Sequence, residues 1–316
     1  MNTPYIVDIK DNSLDDGVGI RSVVFFKGCP LKCVWCQNPE AQNSNQELIF
    51  EPDKCINCTP SCYVKCPNDA FNYDLMNIDR KKCNFSWDCV KSCPAEVFSI
   101  AGKQYNIEDL VNRFVSNMVF YQNSNGGVTL SGGEPMLFPE YSLNLTLELR
   151  KKRINVAIET CGLFTTNPFS LQVLENIQYL YFDVKFIDEN DHKRYCGVEN
   201  TLILRNFKEL IDNDLIILPS QKKDLQFPTE KPFLIPRIPL IPGIVTTSKN
   251  LKDIAEFMRE YNVKVIDLLP YNPLWVKKAG TIGYKLNYNR ETWMSSEEKA
   301  ASAEFFNKFE FDTFTI

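Results

Sequence analysis

The stretch Ser22-Val-Val-Phe-Phe-Lys-Gly28-Cys29-Pro-Leu-Lys-Cys33-Val-Trp35-Cys36 carries an apolar run straight into three cysteines. Residues 22–27 read as a buried strand that ends at Gly28. Three thiolates at this spacing hold three irons of a 4Fe–4S cluster and leave the fourth iron open. An open iron binds a substrate or cofactor, which a fully capped electron carrier cannot do. The competing reading is zinc, which prefers four ligands and commonly uses paired CxxC or Cys/His spacings. A single histidine, His192, excludes His-rich zinc or haem schemes and speaks against a Ser-His-Asp hydrolase. It lies in a charged segment after a strand and is expected to be exposed.

Downstream, strands and helices alternate. Helical spacing over 107–121 puts Leu110, Val111, Phe114, Val115 and Met118 on one side. Strands are expected at 128–130, 155–158, 179–184, 233–238 and 263–269, and helices at 141–151, 171–176, 202–211 and 252–261. With 22–27 that makes six strands joined through helices, so parallel pairing and right-handed crossovers follow, and the sheet curls toward a full or partial barrel. Reactive groups gather at the C-terminal strand ends of such folds. Cys29 follows the first strand, Ser131-Gly132-Gly133-Glu134 the second and Glu159-Thr160 the third, while Asp183 and Lys185 stand at the fourth. The polar, proline-bearing stretch 219–232 precedes a strand and belongs at the opposite end. A helix near 296–308 and a strand-like 311–316 close the chain.

Composition narrows the class. The length of 316 residues suits about two domains, or one α/β barrel. Apolar residues (44%) suffice for a sizeable core. The net charge of −5 and the short basic runs at 151–153 and 222–223 make nucleic acid a poor partner. The first ten residues lack a signal-peptide profile, and no stretch approaches the roughly 18 apolar residues that cross a bilayer, so no membrane association and a cytoplasmic location are expected. Twelve cysteines in a reducing compartment argue for metal rather than disulfides.

Seven of those cysteines lie between 55 and 93, in a short, turn-rich block that reads as an insertion. Cys55-Ile-Asn-Cys58-Thr-Pro-Ser-Cys62-Tyr-Val-Lys-Cys66-Pro67 is one residue longer than the bacterial ferredoxin run CxxCxxCxxxCP. Cys83-Asn-Phe-Ser86-Trp-Asp-Cys89-Val-Lys-Ser-Cys93-Pro94 repeats the template with Ser86 where a cysteine is expected. The block resembles a two-cluster bacterial ferredoxin domain, in which the fourth cysteine of each run crosses to the other cluster. The resemblance implies one set of Cys55, Cys58, Cys62 and Cys93, and another of Cys66, Cys83 and Cys89 whose fourth ligand is open. Serine ligation, a water-ligated iron and a 3Fe–4S cluster are the alternatives there, and two zincs are the competing reading of the block.

Taken with Asp16-Gly17-Val-Gly19-Ile-Arg21 before the triad, Val156-Ala-Ile-Glu159-Thr-Cys-Gly162, Phe182-Asp-Val-Lys185 and Arg237-Ile-Pro-Leu-Ile-Pro-Gly243, these motifs resemble the glycyl-radical-enzyme activating enzymes of the radical S-adenosylmethionine superfamily, in the branch with an inserted two-cluster ferredoxin domain. The match runs from about residue 14 to 272. It implies an α/β fold: a partial (β/α)6 TIM-like barrel from residues 1–50 and 100–316, with the ferredoxin-like α+β insert at 51–99.

It further implies S-adenosylmethionine on the open iron of the Cys29/Cys33/Cys36 cluster, cleaved reductively to methionine and a 5′-deoxyadenosyl radical. That radical takes a hydrogen from a backbone glycine of a partner glycyl radical enzyme. Gly132, Gly133 and Glu134 are implied to grip the methionyl amino group, Lys185 and Arg237 its carboxylate, and Trp35 the adenine. Glu159, Thr160 and Asp183 either bind a monovalent cation or hydrogen-bond the cofactor. An electron donor such as flavodoxin or ferredoxin is expected, and the chain is expected to act as a monomer. Departures are Asn272 where several relatives carry histidine, Val18 for the usual proline, and Cys196 for a common threonine; Cys161 and Cys196 are read as unligated core residues. The alternatives are a radical enzyme acting on a small molecule, an iron–sulfur electron carrier, and a zinc-stabilised scaffold.

Overall fold

Apolar strands alternating with amphipathic helices build, in this computed structural model, an open sheet of eight strands; residues 2–58, 66–72, 76–225 and 229–315 are described. In chain order the strands are β1 (Ile6–Ser13), β2 (Arg21–Phe26), β3 (Glu47–Phe50), β4 (Phe71–Asn72), β5 (Asn77–Ile78), β6 (Phe98–Ala101), β7 (Gly127–Gly132), β8 (Asn155–Thr160), β9 (Tyr179–Asp183), β10 (Phe233–Leu240), β11 (Val265–Pro270) and β12 (Asp312–Thr315). The large sheet runs β1-β2-β7-β8-β9-β10-β11-β12. The six expected strands are its centre, each parallel to the next. The closing strand β12 extends the parallel order on β11, and β1, not anticipated from the sequence, pairs antiparallel with β2 at the other edge.

The helices fill the crossovers at Pro139–Lys151, Pro168–Asn176, Thr201–Asp212 and Ser248–Glu260. Three begin with clear start signals: Pro139 and Pro168 in the first turn, where a missing N–H costs nothing, and Thr247 accepting from Asn250 N. The single helix expected over 107–121 is two, Ile107–Val115 and Met118–Ser124. The break falls at Asn117, whose side-chain amide donates to Asp11 Oδ1 (3.0 Å) and Ser22 Oγ (3.2 Å) instead of facing solvent. Among the described residues no helix is long and apolar enough to cross a membrane.

Which residues fill the concave face decides where a ligand can sit. Ala157, Tyr179, Tyr181, Phe233 and Ile235 pack there with Leu225 and with partly buried Val18, Ile217 and Phe314. Val18 lies in the β1–β2 turn, yet its N–H donates to the Tyr181 hydroxyl on β9 (3.1 Å). Three strands' widths are bridged only if the sheet curves. Fully buried Arg21 seals the same end, donating to Thr129 Oγ1 (2.6 Å), the Val128 carbonyl (2.8 Å) and the Val18 carbonyl (3.1 Å). The stretch around Leu225 also sits at this end, as expected: Lys222 N donates to Asp312 Oδ2 (2.9 Å) at the start of β12. Apolar and aromatic packing thus closes the N-terminal end and leaves the polar groups at the other.

The chain departs from the large sheet between β3 and β6, which pair antiparallel from Glu47↔Ala101 to Phe50↔Phe98 and bound residues 47–101. They hold the β4–β5 pair, a short helix Asp88–Ser92, and their own apolar cluster of Leu48, Phe50, Val97 and Phe98. Buried Lys27 ties this segment to the triad loop, donating to Glu47 Oε2 (2.6 Å) and the Glu40 carbonyl (2.5 Å). Arg80 ties it to the C-terminal region through the Thr281 carbonyl (2.7 Å).

Candidate active site

Cys29 stands three residues beyond β2, so the triad loop leaves from the C-terminal end of the first parallel strand. One side of the loop is fixed by Gly28 N to the Ala41 carbonyl (2.7 Å) and Cys29 N to the Gln42 carbonyl (3.0 Å). The other is fixed by Lys32 N to the Cys196 carbonyl (2.8 Å) and Val34 N to the Tyr195 carbonyl (3.0 Å). Cys29, Cys33 and Cys36 are all free thiols. Burial, then the sulfurs of Cys33 and Cys29, push the Cys36 thiol up to about 12. Three unbridged, mutually close thiols fit a cluster that offers each a separate iron. Ligands of a cube need not converge on one point, and among the described residues no three metal-ligating side chains do. Trp35 is buried against Phe186, ring centroids 6.1 Å apart.

The end of β7 is built around two glycines. Gly132 has φ +103°, and a Cβ on Gly133 would lie 2.1 Å from the Gly28 carbonyl oxygen. Gly133 N donates to the Phe26 carbonyl and Glu134 N to that of Gly28, each at 2.8 Å, so this turn is welded to the root of the triad loop. Gly133→Ala is expected to cost ~3 kcal/mol, because backbone cannot yield as a flexible side chain does. Gly280→Ala, where a Cβ meets nothing within 4 Å, is expected to be neutral within ~1 kcal/mol. Denaturant midpoints of the two variants check both.

Glu134 is fully buried and its carboxylate is engaged inside the chain. It accepts from Met136 N (3.0 Å), Cys161 N (2.7 Å) and Thr160 Oγ1 (3.0 Å to each oxygen). Burial raises its pKa, against the pull of these donors. It therefore clamps the end of β7 to the end of β8.

Across the mouth runs a line of buried charge. Arg237 on β10 donates to Asp267 Oδ2 on β11 (2.7 Å) and to Glu159 on β8, and lies 4.4 Å over the Tyr181 ring. Its Nη2 is buried with no partner among the described residues, as is Asp267 Oδ1. Burial opposes the Arg237 charge, but Glu159 and Asp267 outweigh it and hold the guanidinium above its usual value. Glu159 also accepts from Ser131 Oγ, and burial raises its carboxyl. Lys185, nearly buried, donates to Asp183 Oδ2 (2.7 Å). Burial works against its charge too, but Asp183 and the thiols of Cys33, Cys161 and Cys196 keep it above the ordinary lysine value. Glu159, Thr160 and Asp183, the side chains read as cation ligands or cofactor partners, thus each have a partner within the chain. Asn272 caps a turn, accepting from Leu274 N (2.9 Å).

Asp267 and Tyr181 were not singled out from the sequence, although an acid inside the apolar run Val265-Ile-Asp-Leu-Leu269 was a usable signal. Cys161 and Cys196 are buried as expected, and each lies beside a triad cysteine, Cys29 and Cys33 respectively.

His192 corrects an expectation: it is buried, with Nδ1–H donating to the Val198 carbonyl (2.6 Å), inside an unanticipated helix Glu189–Cys196. Burial depresses its pKa below the usual 6.5. The unfolded chain then takes up the proton first, so stability is full above about pH 6.5 and declines as pH falls toward the folded value. The urea midpoint is expected to fall between about pH 7 and pH 5.5, and His192→Gln to remove that part of the slope.

Within residues 47–101, Cys66, Cys83, Cys89 and Ser86 line one pocket, walled by Leu48, Phe71 and Phe98. Burial pushes the Cys89 thiol up to about 11, and Cys83 and Cys66 add to it. Cys55, Cys58 and Cys93 are half-buried free thiols, while Cys62 lies outside the described residues.

A family model described as a 4Fe–4S single cluster domain matches residues 15–203. The isethionate sulfite-lyase activating enzyme of Desulfovibrio desulfuricans is 35% identical over 284 residues, covering 88% of this chain and 86% of that protein. The indoleacetate decarboxylase activating enzyme of Tractidigestivibacter scatoligenes is 34% identical, covering 88% and 86%. The trans-4-hydroxy-L-proline dehydratase activating enzyme of Clostridioides difficile is 34% identical, covering 94% and 93%. A parallel sheet that delivers three free thiols, a glycine turn and two cations to one mouth, with a cluster-domain match, defines a radical S-adenosylmethionine enzyme. Within that class, the chain belongs to the glycyl-radical-enzyme activating enzymes.

Proposed function

We propose that Cys29, Cys33 and Cys36 hold the 4Fe–4S cluster at which this activating enzyme splits S-adenosylmethionine, and that the mouth of the barrel holds the methionyl part of that molecule. When bound, the cluster would supply the electron that cleaves the sulfonium, and the 5′-deoxyadenosyl radical so released would take a hydrogen from a backbone glycine of the partner. The observation that carries the reading is Arg237 Nη2, a buried donor beside Glu159 and Asp267 with no partner among the described residues. A buried guanidinium N–H left unpaired is costly, and a carboxylate oxygen would satisfy it. Lys185 adds a point charge two residues beyond the end of the neighbouring strand β9. Because the Glu134 side chain is spent on Thr160, Met136 and Cys161, the amino group falls to the backbone of Gly132 and Gly133, and Glu134 acts by holding that turn. Trp35, already packed on Phe186, gives the adenine an apolar wall.

Residues 51–99 are read as a ferredoxin-like insert with two cluster sites, passing electrons from a small donor such as flavodoxin or ferredoxin. The Lys27–Glu47 ion pair, at the start of the strand β3 that leads into this segment, fastens it beside the triad loop and supports that reading.

The test is anaerobic. The reduced chain with S-adenosylmethionine should release 5′-deoxyadenosine, and with its partner should yield a glycyl radical by electron paramagnetic resonance. Cleavage without a radical on any glycyl radical enzyme would move the activity to a small molecule; no cleavage would leave only an electron carrier.

A further inference from the structure

We infer that Cys66, Cys83 and Cys89 form a second three-thiolate cluster site, whose fourth iron no cysteine holds and which therefore gains and loses that iron. The inference rests on the reading that the insert binds clusters. The three thiols and Ser86 line the same pocket, which places the serine where the ferredoxin repeat calls for a fourth thiolate. The position is fixed rather than slack. Both neighbours of Ser86 have left-handed backbone, Phe85 at φ +57° and Trp87 at φ +63°, and Ser86 N donates to Asn84 Oδ1 (3.3 Å). The Ser86 hydroxyl has no hydrogen-bond partner among the described residues. Cys161 and Cys196 belong to the main core and do not line this pocket. The repeat assigns Cys62 to the other set.

An alcohol oxygen or water is a harder, weaker ligand for such an iron than thiolate, so this corner leaves first. Oxidative loss balances as [4Fe–4S]2+ → [3Fe–4S]+ + Fe2+ + e−. The three thiolates stay bound, the oxygen ligand is released with the ferrous ion, and the electron passes to an oxidant such as ferricyanide. Reassembly takes one ferrous ion and one electron from a reductant.

The test compares the reconstituted full chain with Ser86→Cys, both treated with ferricyanide in the presence of S-adenosylmethionine. The triad cluster contributes equally to both, so the difference reports the insert. The native chain is expected to show about one more oxidised-state paramagnetic centre per chain and about one iron fewer, and added Fe2+ with dithionite should erase the difference. Equal signals and equal iron would overturn the inference. A chain with Cys29, Cys33 and Cys36 all changed to alanine gives a second reading that needs no Ser86 variant. About seven irons and an oxidised-state signal support the inference, whereas about eight irons and no signal contradict it. No iron in that variant would instead show that the insert binds no cluster, which removes the reading beneath the inference as well.

Discussion

Cys33→Ala abolishes release of 5′-deoxyadenosine, by at least ~10³-fold, while the inserted segment keeps its iron. The two parts of this expectation have separate physical grounds. Cys33 is the buried member of the triad, pinned on both sides by backbone bonds from Lys32 and Val34 to Cys196 and Tyr195. No other free sulfur can replace it without moving that loop: Cys196 lies beside it but is anchored in its own helix Glu189–Cys196. Two thiolates would remain, too few to retain the cluster through turnover. Residues 47–101 have their own apolar cluster and their own thiols, separate from the main core, so the iron proposed to bind there should persist. Chromatography of 5′-deoxyadenosine and an iron count, expected to fall by about four, check both halves. Cleavage retained by the variant would remove the triad from its role.

Arg237→Ala should be the most damaging change to the mouth of the barrel. It leaves the Glu159 and Asp267 carboxylates buried without their cation, and breaking a buried pair in this way costs about 3–5 kcal/mol. Both acids are already raised by burial, so the variant relieves itself by taking up protons and should become relatively more stable as pH falls. Affinity for S-adenosylmethionine should drop by ~10²-fold if the orphaned Nη2 takes the methionyl carboxylate. Arg237→Lys separates the two effects. It keeps the charge but cannot fork between Asp267 and Glu159 and still present a further donor, so it should recover more stability than affinity. Denaturation curves and equilibrium binding of the cofactor measure them independently. Equal affinity in the native chain and Arg237→Lys would take the carboxylate contact away from Arg237.

Much of this architecture was legible in the residues because its strands are apolar runs that stop at chemistry. β2 ends before Gly28, and β7 runs into Ser131-Gly132, so both ends and their motifs were visible together. β1 was not, since Asp8, Lys10 and Asp11 break the apolar pattern of an edge strand with one wet face. The helix Glu189–Cys196 was invisible for a related reason: its sequence has no apolar period, and it is set by Asp188 capping its first turn and Gly197 at φ +87° ending it. His192 is buried because that helix turns it inward, which no local reading of a charged segment could show.

At the site, residue types at strand ends were readable but their partners were not. Glu134 was expected to face the cofactor, yet the end of β8 supplies Thr160 and Cys161 N to consume its carboxylate. Asp267 gains its meaning only from the β10–β11 register that sets Arg237 against it, a fact of pairing across 30 residues.

The most direct measurement is the electron paramagnetic resonance spectrum of the reduced, reconstituted chain before and after adding S-adenosylmethionine, taken in a variant whose cysteines between 55 and 93 are replaced by alanine. The account predicts that the cofactor alters the spectrum of the triad cluster, because it ligates the iron that no cysteine holds. An unchanged spectrum at saturating cofactor would contradict it.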